Sequence, residues 1–277
     1  MENIVKFKEA VKSVVPRGVL RKYRQYWQYR HQQKLLSGMD PLTKQLYKMS
    51  ALTPYDHVRL SESAEAARNK VLSAAKNIYG ENWNYYSDAL RPEIVQGFEA
   101  SIDAFLGGEF TSINYLEIGS CQGLSMSLIG TLLKQRNMVG SLVSVDPYFE
   151  SGYTEGESGP YRTRQQIPIN KKTKALAQQL YSALSLPVEI IEATSLDGLQ
   201  SLISNHKSFE LIYVDGSHEA FWPAVDFGLS YSLLRGGGVV ILDDHLWPDV
   251  QPIKKLCDIH GTRVQETWKT ASYQLLK

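Results

Sequence analysis

The chain has 277 residues, of which 43% are hydrophobic and 21% charged, with a formal net charge of +1. That length suits one large domain, or one domain with a helical extension. The near-neutral balance excludes binding of nucleic acid through bulk charge, and no nucleic-acid partner is expected. The two cysteines, Cys121 and Cys257, are far apart in unlike contexts, so neither a disulfide framework nor a zinc site is expected, which fits a reducing compartment. The N-terminus lacks an apolar run of signal-peptide length, and no stretch approaches the roughly 20 apolar residues of a membrane span. A cytoplasmic location is the expectation.

Charge is unevenly spread. Residues 1–38 hold nine lysines and arginines against two glutamates. Such an arm suits peripheral contact with a membrane or an acidic partner, and equally a solvated helical face. Within it Val19, Leu20, Tyr23, Tyr26 and Trp27 recur at helical spacing. Residues 61–79 place strong helix formers behind a serine cap. Residues 91–106 form another helix that leads into Gly107-Gly108. Residues 1–110 therefore read as an N-terminal helical extension.

From residue 111 onward the texture changes. Strand-like runs at 113–118, 141–146, 188–192, 209–214 and 237–242 alternate with helical stretches at about 123–135, 170–184, 195–205 and 218–234. Apolar, β-branched strands alternating with helices predict an α/β fold whose parallel sheet is covered on both faces. Two more strand-like runs, 262–268 and 272–276, flank Lys269-Thr270-Ala271. They are expected to form a terminal antiparallel pair.

The first strand runs into Leu116-Glu117-Ile118-Gly119-Ser120-Cys121-Gln122-Gly123-Leu124-Ser125. Glycines at a strand-to-helix crossing let backbone approach a ligand, and a helix N-terminus favours negative charge. The spacing is Gly-x-x-x-Gly, not the Gly-x-Gly-x-x-Gly of a dinucleotide site. The second strand ends in Asp146, a carboxylate able to accept both hydroxyls of a ribose, or to serve as a plain helix cap. After the third strand come Ala193, Thr194 and Ser195, at the level of an adenine edge; an ordinary helix cap explains them equally well. Taken together at successive strand ends, these groups describe an adenosine pocket.

Segment 116–125 resembles the first motif of class I methyltransferases. It is especially similar to the catechol-type O-methyltransferases, which carry Leu-Glu-x-Gly-x-x-x-Gly-x-Ser there. The resemblance covers about 111–277 and implies a Rossmann-like seven-stranded sheet with a terminal antiparallel hairpin. It implies S-adenosyl-L-methionine as cofactor, with Gly119 and Gly123 along its methionine part and Ser125 on its carboxylate. Asp146 would hold the ribose and Thr194 or Ser195 the adenine side, with Glu117, Ser120 and Asp215 bordering the same site.

Two further strands end in acids, as Val214-Asp215-Gly216-Ser217-His218 and Leu242-Asp243-Asp244-His245. Adjacent strand ends bring Asp215, Asp243 and Asp244 to one edge of the sheet. Crowded carboxylates repel unless a cation lies among them. A divalent ion with oxygen ligands, Mg²⁺ by default, is the natural answer. It would lower the pKa of an acceptor hydroxyl, and His218 at the next helix start would act as general base. The caps-and-turns alternative stands beside this for each residue, and His245 reads as a support behind the ligands, a substrate contact or neither. Asp-Gly-x-His followed by Asp-Asp resembles a subgroup of metal-dependent sugar O-methyltransferases, the macrolide-sugar and cephalosporin-hydroxylase-like enzymes. Catechol-type enzymes have a lysine at the histidine position, so the resemblance leans to a sugar, glycan or small-metabolite acceptor.

Residues 147–169 form a long loop with Arg162 and Arg164 as candidate anion contacts and the character of a lid. Trp222 and Trp247 flank the acid motifs and are candidate acceptor walls or core residues. Competing readings are a metal-independent methyltransferase, a nicotinamide dehydrogenase and a non-catalytic scaffold. The first differs by metal dependence. The second lacks its glycine fingerprint, and the third would leave the strand-end acids without chemistry. Homo-oligomerisation is left open by the sequence.

Overall fold

The run Phe209–Val214 is buried along its whole length, which requires a sheet covered on both faces. The computed structural model describes residues 58–80, 87–106, 110–150, 169–218, 221–267 and 269–276, all within one compact unit, Thr53–Lys277. The expectations for the basic arm, for the lid loop beyond residue 150 and for Arg162 and Arg164 lie outside the described residues.

In chain order the elements are α1 (Glu62–Tyr79), α2 (Pro92–Asp103), β1 (Ile113–Ile118), α3 (Leu124–Gln135), β2 (Val139–Val145), α4 (Lys171–Ala183) and β3 (Val188–Ile191). Then come α5 (Ser195–Ser204), β4 (Phe209–Val214), α6 (Trp222–Leu233), β5 (Leu234–Leu242), α7 (Gln251–His260), β6 (Gly261–Glu266) and β7 (Ala271–Leu275). One seven-stranded sheet runs β3-β2-β1-β4-β5-β7-β6. β1 to β5 are parallel, and β7 inserts antiparallel between β5 and β6. This is the Rossmann-like seven-stranded sheet with a terminal antiparallel hairpin that the resemblance implies.

Period-two alternation assigns each strand residue to a face. Tyr115, Leu211, Tyr213, Val239 and Ile241 join one core cluster, which also takes in α1, α2 and α3. Leu116, Ile118, Ile212, Val214, Val240 and Leu242 join the other. Helix α1 buries Ala64, Ala67, Val71, Ala75 and Tyr79, a stripe of mostly small side chains at helical spacing that allows close approach to its neighbours. Ser61 starts it by accepting the Ala64 N–H at 3.0 Å. Sequence reasoning put α1 and α2 in an extension; both share the first core with the sheet.

Several boundaries shift for local reasons. The helix expected from 218 starts at Trp222 with Pro223 in its first turn, where a missing N–H costs nothing. β5 begins at Leu234, directly after that helix, and runs through the three glycines. Helix α7 was not foreseen, although Ile253, Leu256 and Cys257 stand at i, i+3 and i+4; Ile253 and Cys257 are its buried residues. No helix among the described residues is long and apolar enough to cross a membrane.

Candidate functional site

The loop from β1 to α3 is shaped by its own backbone. Gly119, Cys121 and Gly123 all have positive φ, at 83°, 46° and 77°. A Cβ on Gly119 would stand 2.6 Å from the Asp215 carbonyl carbon and nearer still to its oxygen. A Cβ on Gly123 would stand 2.6 Å from two ring carbons of Tyr181. Only glycine fits either place, and the close neighbours are other parts of the chain. Through Gly119 the loop lies directly against the start of the Asp215 motif.

Asp146, fully buried, accepts the Cys121 N–H at 2.9 Å and the Tyr148 N–H at 3.1 Å. Tyr148 in turn donates its hydroxyl to the Cys121 carbonyl at 2.8 Å. From α1, Tyr79 donates to the Gln122 carbonyl at 2.6 Å. Glu117 has no exposed surface. It accepts hydroxyls from Tyr115 at 2.5 Å and from Ser125 at 3.0 Å, so Ser125 is engaged within the protein. Burial pushes the Glu117 carboxyl up to about 7, against the opposing pull of these hydrogen bonds. Ser120 and Ser144 share a hydroxyl hydrogen bond of 2.6 Å. The sequence reading missed Tyr79 and Tyr181. A tyrosine ending an amphipathic helix just before Gly80 was the one available signal, and only for the first.

Just after β3, Thr194 is the N-cap of α5. It accepts the Asp197 N–H at 3.2 Å and donates its hydroxyl to Asp197 Oδ2 at 2.7 Å. Ser195 is the first helical residue, half-buried. The cap function foreseen as an alternative is thus what Thr194 performs here.

The acid edge lies at the ends of β4 and β5. Asp215, His218 and Asp243 bring one ligand atom each within 4.8 Å of one another. His218 Nε2 is 3.7 Å from Asp215 Oδ1 and 3.9 Å from Asp243 Oδ2. Its ring lies 5.4 Å from that of Trp247, tilted by 47°. A recess beside it is lined by Val214, Gly216, His218, Pro223, Leu242 and Asp243. Trp222 packs instead against Phe221, with ring centroids 4.8 Å apart. Asp226, another buried acid the sequence reading passed over, lies so close to Gly216 that a Cβ there would overlap its Oδ2. Burial pushes its carboxyl up to about 6.

Asp244 is placed differently from expectation. With φ of 41°, it is outside the convergent group and 3.3 Å from Lys269 Nζ through Oδ1. Lys269 also pairs with Asp243 Oδ2, and Tyr213 donates its hydroxyl to Asp243 Oδ1 at 2.5 Å. Burial opposes the charge on Asp243, yet Lys269 and its other partners hold the carboxyl below its usual range. Burial likewise opposes the Lys269 ammonium, and Asp243, Asp244 and Asp215 keep it charged, well above its usual value. His245 is fully buried. It joins this turn by Nε2 to the Thr267 carbonyl at 2.9 Å and by its N–H to the Lys269 carbonyl at 3.3 Å.

The carboxylates of Asp215 and Asp243, which converge with His218 Nε2 within 4.8 Å, suit one divalent ion with bonds of roughly 2.0–2.6 Å. The donor set therefore fits such an ion, with Lys269 already on one of its oxygens.

Residues 116–245 match the family model of a methyltransferase domain. An uncharacterized protein of Acanthamoeba polyphaga mimivirus is 23% identical over 199 residues, covering 69% of this chain and 75% of that protein. Among solved structures, the O-methyltransferase NovP superposes with a TM-score of 0.52 at 11% identity, over 78% of this chain and all of that one. The O-methyltransferase TomG of Streptomyces achromogenes, involved in tomaymycin synthesis and solved with S-adenosylmethionine, gives 0.50 at 17% identity, over 84% and 96%. A calicheamicin methyltransferase gives 0.50 at 15% identity, over 78% and 94%.

Proposed function

We propose that this chain, whose residues 116–245 match the family model of a methyltransferase domain, is a class I S-adenosylmethionine-dependent methyltransferase that methylates a hydroxyl of a sugar, glycan or small metabolite at the Asp215–His218–Asp243 edge. The observation that carries this reading is the convergence of those three groups at strand ends adjoining the Gly119–Gly123 loop.

The methyl donor is taken as lying along the 119–123 loop, with Asp146 toward its ribose and Ser195 toward its adenine. The acceptor oxygen attacks the sulfonium methyl. An O–CH₃ bond forms, the S–CH₃ bond breaks with its electron pair left on sulfur, and the hydroxyl proton passes to His218 Nε2. Asp215 and Asp243, at 3.7 and 3.9 Å, stabilise the imidazolium so formed. Alignment of donor and acceptor supplies much of the rest of the rate. Asp215 and Asp243, with Asp244 beside them, would hold a divalent ion, which when bound supplies a Lewis acid that lowers the hydroxyl pKa. A small-molecule acceptor also agrees with the calicheamicin and tomaymycin names of two compared structures. The basic arm, residues 1–38, is proposed to meet an acidic surface, and the enzyme to work in the cytoplasm.

The test is transfer of label from methyl-labelled S-adenosylmethionine to a panel of hydroxylated acceptors, with Mg²⁺ or with a chelator. His218→Ala should lower turnover by about 10²–10⁴-fold, the usual contribution of a general base, with donor affinity unchanged. Full activity in that variant would remove His218 as base. Activity indifferent to the chelator would remove the metal from the reaction.

A further inference from the structure

The Asp243 side chain has no exposed surface, and a buried carboxylate needs a countercharge. The chain supplies one itself. Lys269, in the turn between β6 and β7, places its ammonium on Asp243 Oδ2 and 3.3 Å from Asp244 Oδ1. The turn is fixed. Thr267 donates its N–H to the Thr270 carbonyl at 2.8 Å, and its Oγ1 accepts the N–H groups of Lys269 and Thr270 at 3.2 and 2.9 Å. His245 donates its N–H to the Lys269 carbonyl. Hydrogen bonds from both sides thus hold the backbone that carries the lysine.

We propose that Lys269 is a tethered cation standing in the pole of the acid cluster, so that a divalent ion binds only when the lysine side chain withdraws. The proposal rests on the reading of Asp215 and Asp243 as a metal edge. It names the residue that sets the affinity and selectivity of that edge.

The competition is for one atom. Asp243 Oδ1 is held by the Tyr213 hydroxyl. Oδ2 is the oxygen that faces His218 Nε2 at 3.9 Å and also the one that carries the ammonium. An ammonium and a divalent ion on the same oxygen repel, so the two states exclude each other. The exchange is feasible because the lysine stem is flexible and its side chain keeps 17% of its surface exposed. The backbone turn can stay as it is while the side chain leaves.

The probe is Mn²⁺ alone, titrated into wild type, Lys269→Met and Lys269→Arg and followed by the electron paramagnetic resonance of unbound Mn²⁺. Lys269→Met should bind Mn²⁺ at least tenfold more tightly than wild type, Lys269→Arg no more tightly, and Lys269→Met/Asp243→Asn should lose the gain. Equal or weaker binding by Lys269→Met, or no binding by any of the proteins, overturns the proposal. Should Lys269→Met not fold, wild type decides the matter through lysine acetylation followed by mass spectrometry. Lys269 should label faster at saturating Mn²⁺, and an unchanged rate overturns the proposal. Titration of the same samples with S-adenosylmethionine tests the methyltransferase reading separately.

Discussion

Gly119 and Gly237 offer a matched pair for testing how tightly the 119–123 loop is built against the acid edge. Both have a left-handed backbone, with φ of 83° and 76°. A Cβ on Gly237 meets nothing within 4 Å, whereas one on Gly119 strikes the Asp215 carbonyl and stands 3.1 Å from Gly216 Cα. Gly237→Ala should therefore cost only the conformational penalty, about 1–2 kcal/mol. Gly119→Ala carries the same penalty plus an overlap with backbone that no side-chain rotation relieves, about 1–3 kcal/mol more. Urea unfolding of both variants measures the difference, provided the slopes match wild type. Gly119→Ala should also weaken S-adenosylmethionine binding, because relief of the clash displaces the 119–123 loop, Asp215, or both. Equal stability losses in the two variants would refute the claim that contact with Asp215 is what requires glycine at 119.

The Glu117 carboxyl, raised from 4.5 to about 7, ties stability to pH. Its folded pKa lies above the unfolded one, so its contribution is fully present below about 4.5 and lost as pH rises to about 7. Relative to wild type, Glu117→Gln should gain stability across that window, by about 3 kcal/mol; thermal melts at pH 4.5 and 8 that differ equally from wild type would contradict this. Asp146→Ala removes the acceptor of two backbone N–H groups and should cost about 1–3 kcal/mol. The same variant should bind S-adenosylmethionine more weakly, and unchanged affinity would take Asp146 out of the ribose site. Tyr79→Phe deletes the hydroxyl on the Gln122 carbonyl and should cost about 1 kcal/mol in urea unfolding; no loss would mean that α1 does not brace the loop.

What the sequence made legible was local or periodic. The β1 strand and its glycine turn are contiguous, and five parallel strands announced themselves as short apolar runs between helices. Asp215 and Asp243 could be brought together because each ends such a strand and parallel order sets them side by side, with His218 three residues on. Lys269 was hidden for the opposite reason. It reaches Asp243 only because β7 returns antiparallel against β5, and the two residues are 26 apart in the chain, a separation that no local pattern encodes. The tyrosines around the 119–123 loop are equally non-local, since Tyr79 and the Gln122 carbonyl are 43 residues apart. Thr194 was ambiguous in the sequence because a small hydroxylated residue after a strand serves a helix cap and a ligand alike, and its hydrogen bonds go to Asp197. Asp244 adjoins Asp243 in the chain and shares the Lys269 ammonium with it, but at the left-handed end of the strand it stays outside the convergent group.

The most direct test of the methyltransferase assignment is calorimetric titration of the full chain with S-adenosylmethionine and, as control, NAD⁺. Saturable one-to-one binding of the first and none of the second is the expected result. Binding of NAD⁺ alone, or of neither in the presence of Mg²⁺ and a hydroxylated acceptor, would contradict it.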